Sequence, residues 1–317
     1  MTKAIPATGS IESKGARRMS FWAQLSLRLV REKPLGTVGG AIALLVFLVG
    51  IFASLIAPYG MNEVHLGDAL QSSTAKHLMG TDQIGRDILS RVIYGAQISM
   101  IVGIGATAIN TLVSLLIGVT SGFIGGKLDL IVQRFVDTWM CFPALIMYLS
   151  VISLTGPGLT QVVLVLGVAG GIASSRTIRS VVIGIRRNVY VDAANAAGCS
   201  TLTTLVKHIL PNIMPVIIIV ASTHVVGAIL GEASLSFLGF GVPPPTPSWG
   251  GMLSGEGRRY MGVAPWMALW PGLALSVTVY GISMFGDALR DLLDPRLRGG
   301  LGRYSAAGIK RKRKPHR

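Results

Sequence analysis

Cysteine and charge are both scarce in this sequence of 317 residues. Its two cysteines, Cys141 and Cys199, are too few for a disulfide framework and match no metal-ligand spacing. Only 14% of the residues are charged, whereas soluble domains usually contain about a quarter. Half of the residues are apolar, and the mean hydropathy is +0.59. This composition excludes an ordinary soluble domain and indicates a membrane protein.

The motifs of hydrolytic and nucleotide-binding sites are also absent. The sequence contains no H-E-x-x-H, no G-x-S-x-G and no carboxylate pair at helical spacing in an apolar run. The stretch Gly125-Gly126-Lys127 lacks the glycine spacing and the following Ser or Thr of a phosphate-binding loop. His224 is not accompanied by a Ser or Cys nucleophile in a recognisable catalytic motif, so we interpret it as a packed or pore-lining residue. We therefore expect a chain that is not an enzyme, binds no metal or cofactor, and takes its energy from another chain.

Six apolar stretches can cross the ~30 Å hydrocarbon core of a bilayer, or nearly so. They should be helices, because lipid offers no partners to an unpaired backbone. The predicted fold class is therefore an all-α integral membrane protein with six transmembrane helices, the first a retained anchor and not a signal peptide. The third helix can begin near Ile131. The stretches are Leu35–Ala57, Ile98–Ile124, Trp139–Leu154, Leu159–Ser175, Ile213–Leu230 and Val263–Phe285.

Positive charge lies mainly in alternate connecting segments, which sets the predicted orientation. Residues 1–34, 121–138, 176–212 and the tail after residue 285 hold 24 of the 29 Lys and Arg residues. Because cytoplasmic segments carry the excess of Lys and Arg, both termini are predicted to be cytoplasmic. The basic run Lys310–Lys314 is interpreted as a juxtamembrane cluster held by anionic lipid, and not as a nucleic-acid site.

These spans divide the chain into a cytoplasmic segment 1–34, an anchor helix 35–57, a periplasmic loop 58–97, a five-helix core 98–289 and a basic tail 290–317. The core includes a cytoplasmic loop, 176–212, and a periplasmic Pro/Trp loop, 237–262.

Three further features carry expectations of their own. An amphipathic segment at 82–97 is expected to begin at an N-cap, Asp82, and to lie along the membrane surface. Glu232, at the outer end of the fifth span, is expected to be solvated at the interface. Within the spans, Gly118-x-x-x-Gly122 is expected to allow close helix packing inside the chain.

The cytoplasmic loop is the most informative segment. It reads Y-V-D-A-A-N-A-A-G at 190–198 and H-I-L-P at 208–211. Alanine favours helix, Gly198 can take the left-handed backbone that ends one, and Ser200 or Thr201 can cap the next. Pro211 is expected to disrupt the helix where the chain re-enters the membrane. We predict an L-shaped pair of helices whose small side chains suit a partner protein's groove better than catalysis.

This loop resembles the EAA loop of ABC-importer permeases, with Asp192 in place of the usual Glu. Three other segments are similar to the dipeptide and oligopeptide branch of that family, which also contains nickel permeases. They are H-L-M-G-T-D-Q-I-G-R-D at 77–87, E-A-S-L-S-F-L-G at 232–239 with P-P-T-P-S-W-G at 244–250, and G-D-A-L-R-D at 286–291 with L-D-P-R at 293–296. The matches run in order along nearly the whole chain. The resemblance therefore implies the C-type permease of a heterodimeric pair, with a type I ABC importer fold.

The resemblance also implies partners. A second, homologous permease completes the pathway, two ABC ATP-binding subunits bind the ATP and drive transport, and an extracytoplasmic binding protein delivers dipeptides or oligopeptides. The membrane would be a bacterial or archaeal inner membrane.

The same resemblance implies which residues carry these contacts. The residues expected to couple the chain to the ATPase subunits are Asp192, Ala193, Ala194, Ala197, Gly198, His208, Leu210 and Pro211. The residues expected to contact the binding protein are Pro244, Pro245, Pro247 and Trp249.

Two alternatives stay open. The solute can be another one carried in this family, such as a nickel chelate, glutathione or an oligosaccharide. A secondary transporter would also be polytopic, but it would usually show ionisable residues in mid-membrane or two related halves. The apolar cores here contain no Asp, Glu, Lys or Arg, and the sequence shows no internal repeat.

Overall fold

The computed structural model describes residues 21–293, and every regular element within that range is a helix. Strand pairing there is limited to one isolated bridge, between Thr81 and Asp87. The predicted all-α class is thus confirmed, whereas the basic run at 310–314 lies outside the described residues. In chain order the helices are α1 (Phe21–Glu32), α2 (Pro34–Ile51), α3 (Ala53–Ile56), α4 (Ile88–Ile124), α5 (Gly126–Met140), α6 (Ala144–Thr155), α7 (Leu159–Arg186), α8 (Val189–Ala196), α9 (Thr201–Thr204), α10 (Leu210–Phe237), α11 (Trp249–Leu253), α12 (Gly255–Arg259) and α13 (Trp266–Leu293).

Five helical segments are long and apolar enough to cross a membrane: α2, α4, α7, the continuous run from α9 through α10, and α13. The predicted third span is not a single helix, because α5 and α6 meet at 88°. The continuous helix predicted for Trp139–Leu154 is therefore wrong. Pro143 gives the reason, since it has no N–H for the helical ladder and its backbone is extended (φ −57°, ψ 128°). Counting the bent pair as one broken span gives the six predicted crossings.

Helix α4 begins ten residues earlier than the predicted second span. Its N-cap is Asp87, whose side chain accepts a hydrogen bond from the amide of Ser90, so the prediction that Asp82 caps this segment is wrong. The amphipathic segment at 82–97 is not a separate surface helix either. From Ile88 onward it forms the first turns of α4, which has 37 residues and is roughly 55 Å long.

The first span is interrupted and has a preceding helix that the sequence did not predict. α2 ends at Ile51, and Phe52 separates it from the short α3. The preceding helix, α1, is amphipathic. Where α1 meets α2, the ammonium group of Lys33 lies 2.5 Å from the carboxylate of Asp291 near the end of α13, so the two ends of the described chain are joined.

Helix α4 packs along α7, and α10 packs against both α4 and α13. Close approach of α4 and α7 depends on glycine: a Cβ atom at Gly118 would lie 2.6 Å from the carbonyl oxygen of Ser175, and one at Gly122 would lie 3.0 Å from that of Arg179. The prediction that this glycine pair packs helices within the chain is confirmed.

Candidate coupling elbow and capped end

The segment from Val189 to Ile209, here called the elbow, connects α7 to α10. Its first arm, α8, is closed by Gly198, which has a left-handed backbone (φ +77°). The amide of Cys199 then reaches back to the carbonyl of Ala194 at 3.1 Å, as in the glycine closure that ends many helices. The predicted helix break at this glycine is confirmed.

The second arm begins at Ser200, whose hydroxyl accepts a hydrogen bond from the amide of Thr203 at 3.3 Å. After α9 a π-helical turn, Leu205–Ile209, leads directly into α10. Pro211 lies in the first turn of α10, so the prediction that it disrupts the helix is wrong.

The π turn adapts the helix to Pro211, which has no backbone N–H to donate. The amide of Leu210 reaches back five residues to the carbonyl of Leu205, which widens the helix just before the ring. The side chain of Asn212, the residue after the proline, donates to the carbonyl of His208 at 2.6 Å. The second arm and the fifth span therefore form one continuous rod, Thr201–Phe237, and the elbow turns before it at Gly198.

The elbow has a buried side and an exposed side. Val191, Thr204 and Ile209 are fully buried. Three apolar side chains of the elbow are left largely uncovered: Val189 is 83% exposed, Leu202 70% and Val206 53%. Exposed apolar side chains grouped in this way are typical of a surface that contacts another protein or lipid.

The residues that the sequence predicted for coupling lie on both sides of the elbow. Ala194 is buried in the chain's own packing, and His208 and Leu210 are half-buried. The exposed ones are Asp192, Ala193, Ala197, Gly198 and Pro211. Only this second group is fully available to a partner.

Ion pairs that the sequence analysis missed tie α5 to α7 next to the elbow. The Nε and Nη2 atoms of Arg179 donate to the two carboxylate oxygens of Asp129 at 2.6 and 2.5 Å. The Nη2 atom of Arg176 donates to one carboxylate oxygen of Asp137, one turn further from the elbow. Because the partners lie 50 and 39 residues apart, no local sequence pattern could have paired them.

The opposite end of the bundle is closed by two loops, residues 57–87 and 238–265, here called the cap. His77 is completely buried in it, and its Nδ1 atom lies 3.0 Å from Asp87. The other oxygen of Asp87 accepts hydrogen bonds from the amide and the hydroxyl of Ser90, both at 2.8 Å. The start of α4 is thereby fixed to the loop that precedes it.

Asp82 organises the turn beside this cluster. It accepts hydrogen bonds from the amides of Ile84 and Arg86 at 3.0 and 2.9 Å, and the Nε atom of Arg86 donates to it at 2.5 Å. The indole N–H of Trp266 donates to the carbonyl of Thr81 at 3.0 Å, which joins the turn to α13. The segment 77–87 is therefore a folded support for the cap.

The outer face of this support carries an exposed ion pair. The ammonium of Lys76 lies 2.5 Å from the carboxylate of Asp68. The hydrogen bond from Lys76 holds the pKa of the Asp68 carboxyl below its usual value, and the same bond raises the pKa of Lys76.

The Pro/Trp loop is partly a core element. Trp249 is only 2% exposed, and its indole N–H donates to the carbonyl of Val92 at 3.0 Å. Pro247 is also buried, whereas Pro244 and Pro245 are exposed. Of the four residues expected to contact the binding protein, only these two exposed prolines are open to a partner in this chain.

Two titratable residues of α10 are packed inside the bundle. Glu232 is completely buried and accepts a hydrogen bond from the hydroxyl of Ser236 at 2.6 Å, so the expectation that it is solvated is wrong. Its other carboxylate oxygen, Oε2, has no hydrogen-bond partner among residues 21–293. The Nδ1 atom of His224 lies 3.3 Å from the hydroxyl of Thr107, consistent with a packed histidine.

Comparison with known proteins places this geometry in a family. Residues 114–299 match the family described as binding-protein-dependent transport system inner membrane component, and residues 20–72 match the N-terminal TM domain of oligopeptide transport permease C. Among solved structures, an inward-facing conformation of the MetNI methionine ABC transporter has a similar fold, with a TM-score of 0.50 at 16% identity over 65% of this chain and 98% of that one.

Curated relatives match over most of their length. The oligopeptide transport system permease protein OppC of Bacillus subtilis (strain 168) is 35% identical, over 92% of this chain and 94% of its own. The dipeptide transport system permease protein DppC of Alkalihalophilus pseudofirmus is 34% identical, over 88% and 91%. The glutathione transport system permease protein GsiD of Escherichia coli O6:K15:H31 is also 34% identical, over 88% and 90%. This chain therefore belongs to the inner-membrane permease components of ABC importers, in the branch that contains the oligopeptide and dipeptide permeases.

Proposed function

We propose that this chain forms half of a pathway that imports short peptides, and that its elbow receives the force of ATP-hydrolysing subunits. A second, homologous permease completes the pathway, and an extracytoplasmic binding protein supplies the peptide at the cap. Family membership supports the general role. The elbow geometry is the observation that supports the specific mechanism.

The elbow is suited to docking because it exposes large apolar side chains together with small residues. Val189, Leu202 and Val206 project from it, and Ala193 and Ala197 leave room for an approaching surface. Association that covers such side chains is favourable by about 25 cal/mol per Å² of apolar area removed from water. An isolated chain in water would leave this area uncovered.

The elbow is also suited to transmitting movement. Its second arm continues without a break through the π turn into α10. At the other end of α10, Ser236 accepts a hydrogen bond from the amide of Val242 in the cap at 3.2 Å. A displacement of the elbow is therefore carried by one rod to the loops at the opposite end of the bundle.

The test replaces Leu202 with Gln in the assembled transporter. We expect binding-protein-stimulated ATP hydrolysis and peptide uptake in proteoliposomes to fall about tenfold or more, with membrane insertion unchanged. Leu128→Gln is the matched control, because Leu128 is also an exposed leucine near this end of the bundle but lies outside the elbow. Equal effects of the two substitutions would contradict the assignment.

The orientation is also part of the proposal. The charge distribution supports an elbow on the cytoplasmic side, with both termini there. Cys199 of the elbow is partly exposed, so a membrane-impermeant maleimide should label it in inside-out vesicles and not in intact cells. Cys141→Ala removes the other thiol. Labelling of Cys199 from outside intact cells would reverse the orientation.

Peptides are proposed as the solute because the OppC and DppC relatives carry oligopeptide and dipeptide in their names. The GsiD relative makes glutathione, itself a tripeptide, the second candidate. Competition of unlabelled dipeptide, oligopeptide and glutathione against labelled dipeptide uptake separates these solutes.

A further inference from the structure

The cap contains a cavity of about 490 Å³ between its two loops. Its rim is exposed and includes Gly239, Pro243, Pro244 and Glu256. Its floor is buried and includes Asp82, Ile88, Arg91, Ser248 and Met267. This volume lies in the range of sites that hold small molecules, and about half of the lining residues are polar or charged.

Arg91 is the unusual residue of the floor. It is only 8% exposed, although arginine is rarely buried without a partner of opposite charge. Its Nη1 atom donates to the carbonyl of Met61 at 3.0 Å and lies 3.5 Å from the side-chain amide of Asn62. It forms no ion pair with any acidic side chain in the described range.

The other charges around the cavity do not neutralise Arg91. The carboxylate of Asp82 is taken by the guanidinium and amide of Arg86. Glu256, on the rim, likewise forms no ion pair within residues 21–293. The cavity thus holds a buried positive charge on its floor and a free negative charge on its rim.

We propose that this cavity is a binding site for a short zwitterionic peptide, with Arg91 holding its carboxylate and Glu256 facing its ammonium group. A guanidinium binds carboxylates through charge-assisted hydrogen bonds, which satisfy donors that burial has taken from water. The depth of Arg91 favours a small ligand, because a side chain of a docked protein would have to pass the rim to reach it. That the ligand is a peptide rests on the proposed function, the import of short peptides.

The site is tested by direct binding to the permease assembly in nanodiscs, without the binding protein and without ATP. The probes are L-alanyl-L-alanine, its C-terminal amide and its N-acetyl derivative, measured by calorimetric titration. We expect the amide to bind at least about tenfold more weakly than the free dipeptide, because it lacks the charge that Arg91 recognises. Arg91→Lys, which keeps the charge but not the planar fork, should weaken dipeptide binding about tenfold.

Two further variants keep the test decisive if Arg91→Lys does not fold. Glu256→Gln, on the exposed rim, should remove the preference for the dipeptide over its N-acetyl derivative. Arg259→Gln should bind as the unmodified chain does, because Arg259 lies in the same short helix but outside the cavity lining. No binding by the unmodified assembly, or equal binding of dipeptide and amide, overturns the proposal.

The same measurements separate this inference from the proposed function. If transport is of peptides but the assembly binds none, only the cavity assignment fails. If Arg91→Lys weakens docking of the binding protein and leaves dipeptide binding unchanged, a protein carboxylate occupies the site and the proposal is wrong. If the assembly binds dipeptide but does not transport it, the proposed function fails.

Discussion

The carboxylate of Asp129 accepts two hydrogen bonds from the guanidinium of Arg179, across the gap between α5 and α7. Both oxygens of the carboxylate accept a hydrogen bond, so the pair fixes the direction of α5 as well as its distance from α7. Since α7 leads straight into the elbow, this pair supports the elbow from the side of the bundle.

The first prediction concerns this pair. Arg179→Lys keeps the charge but loses the paired geometry, and Asp129→Asn loses the charge. Each should lower the free energy of unfolding by about 1.5 to 3 kcal/mol, the usual range for a hydrogen bond to a charged group. A double-mutant cycle on the apparent Tm in detergent measures the pairing, and simple additivity of the two changes would contradict it.

The second prediction concerns the bend of the elbow. Nothing lies within 4 Å of a Cβ atom placed at Gly198, but its φ of +77° is left-handed. Gly198→Ala should therefore cost about 1 to 2 kcal/mol through backbone strain alone. In the assembled transporter, ATP hydrolysis should become less dependent on the binding protein.

Gly184 supplies the control for this prediction. A Cβ atom there also meets nothing within 4 Å, but the residue lies inside α7 with ordinary helical backbone. Gly184→Ala should be neutral or stabilising by up to about 1 kcal/mol, because alanine favours helix. If both substitutions have the same effect on stability and coupling, the left-handed backbone is not what matters.

The third prediction concerns the contact between Gly95 and Trp249. A Cβ atom at Gly95 would lie 2.6 Å from Cδ1 of the indole, so Gly95→Ala must displace the ring. We expect a loss of about 1 to 3 kcal/mol, the usual cost of overpacking. Trp249→Leu should cost several kcal/mol by leaving a cavity, and the double variant should lose less than the sum, as thermal unfolding would show.

Gly227 is the matched control for that substitution. It lies in α10, and a Cβ atom there meets nothing within 4 Å. Gly227→Ala should leave the apparent Tm unchanged or slightly raised. A comparable loss at both glycines would mean that the helix position, and not the indole, sets the cost.

The fourth prediction concerns the N-cap of α4. Asp87→Ala removes the acceptor for the amide and hydroxyl of Ser90 and leaves the Nδ1 atom of the buried His77 without its partner. The expected loss is about 2 to 4 kcal/mol, above the usual cost of an N-cap because the site is buried. Glu63→Ala is the control, since Glu63 is an exposed acid of the same cap. Hydrogen exchange of the first turns of α4 should rise only in Asp87→Ala.

The sequence by itself determined the all-α class and the place of the elbow in the chain. Apolar runs longer than a bilayer core, with few charges, leave helix as the available structure. Gly198 between two helix-forming stretches marked the bend, because its left-handed backbone is accessible to glycine at little cost.

Only the tertiary structure decided where the helices begin, bend and bury polar groups. The N-cap of α4 is Asp87 and not Asp82, and His77 completes the bonding of that cap. Glu232 and Trp249 look like surface residues in the sequence and are buried because the second cap loop folds over the end of α10. These outcomes depend on contacts between distant segments, and a local pattern carries no information about which distant segment will supply the partner.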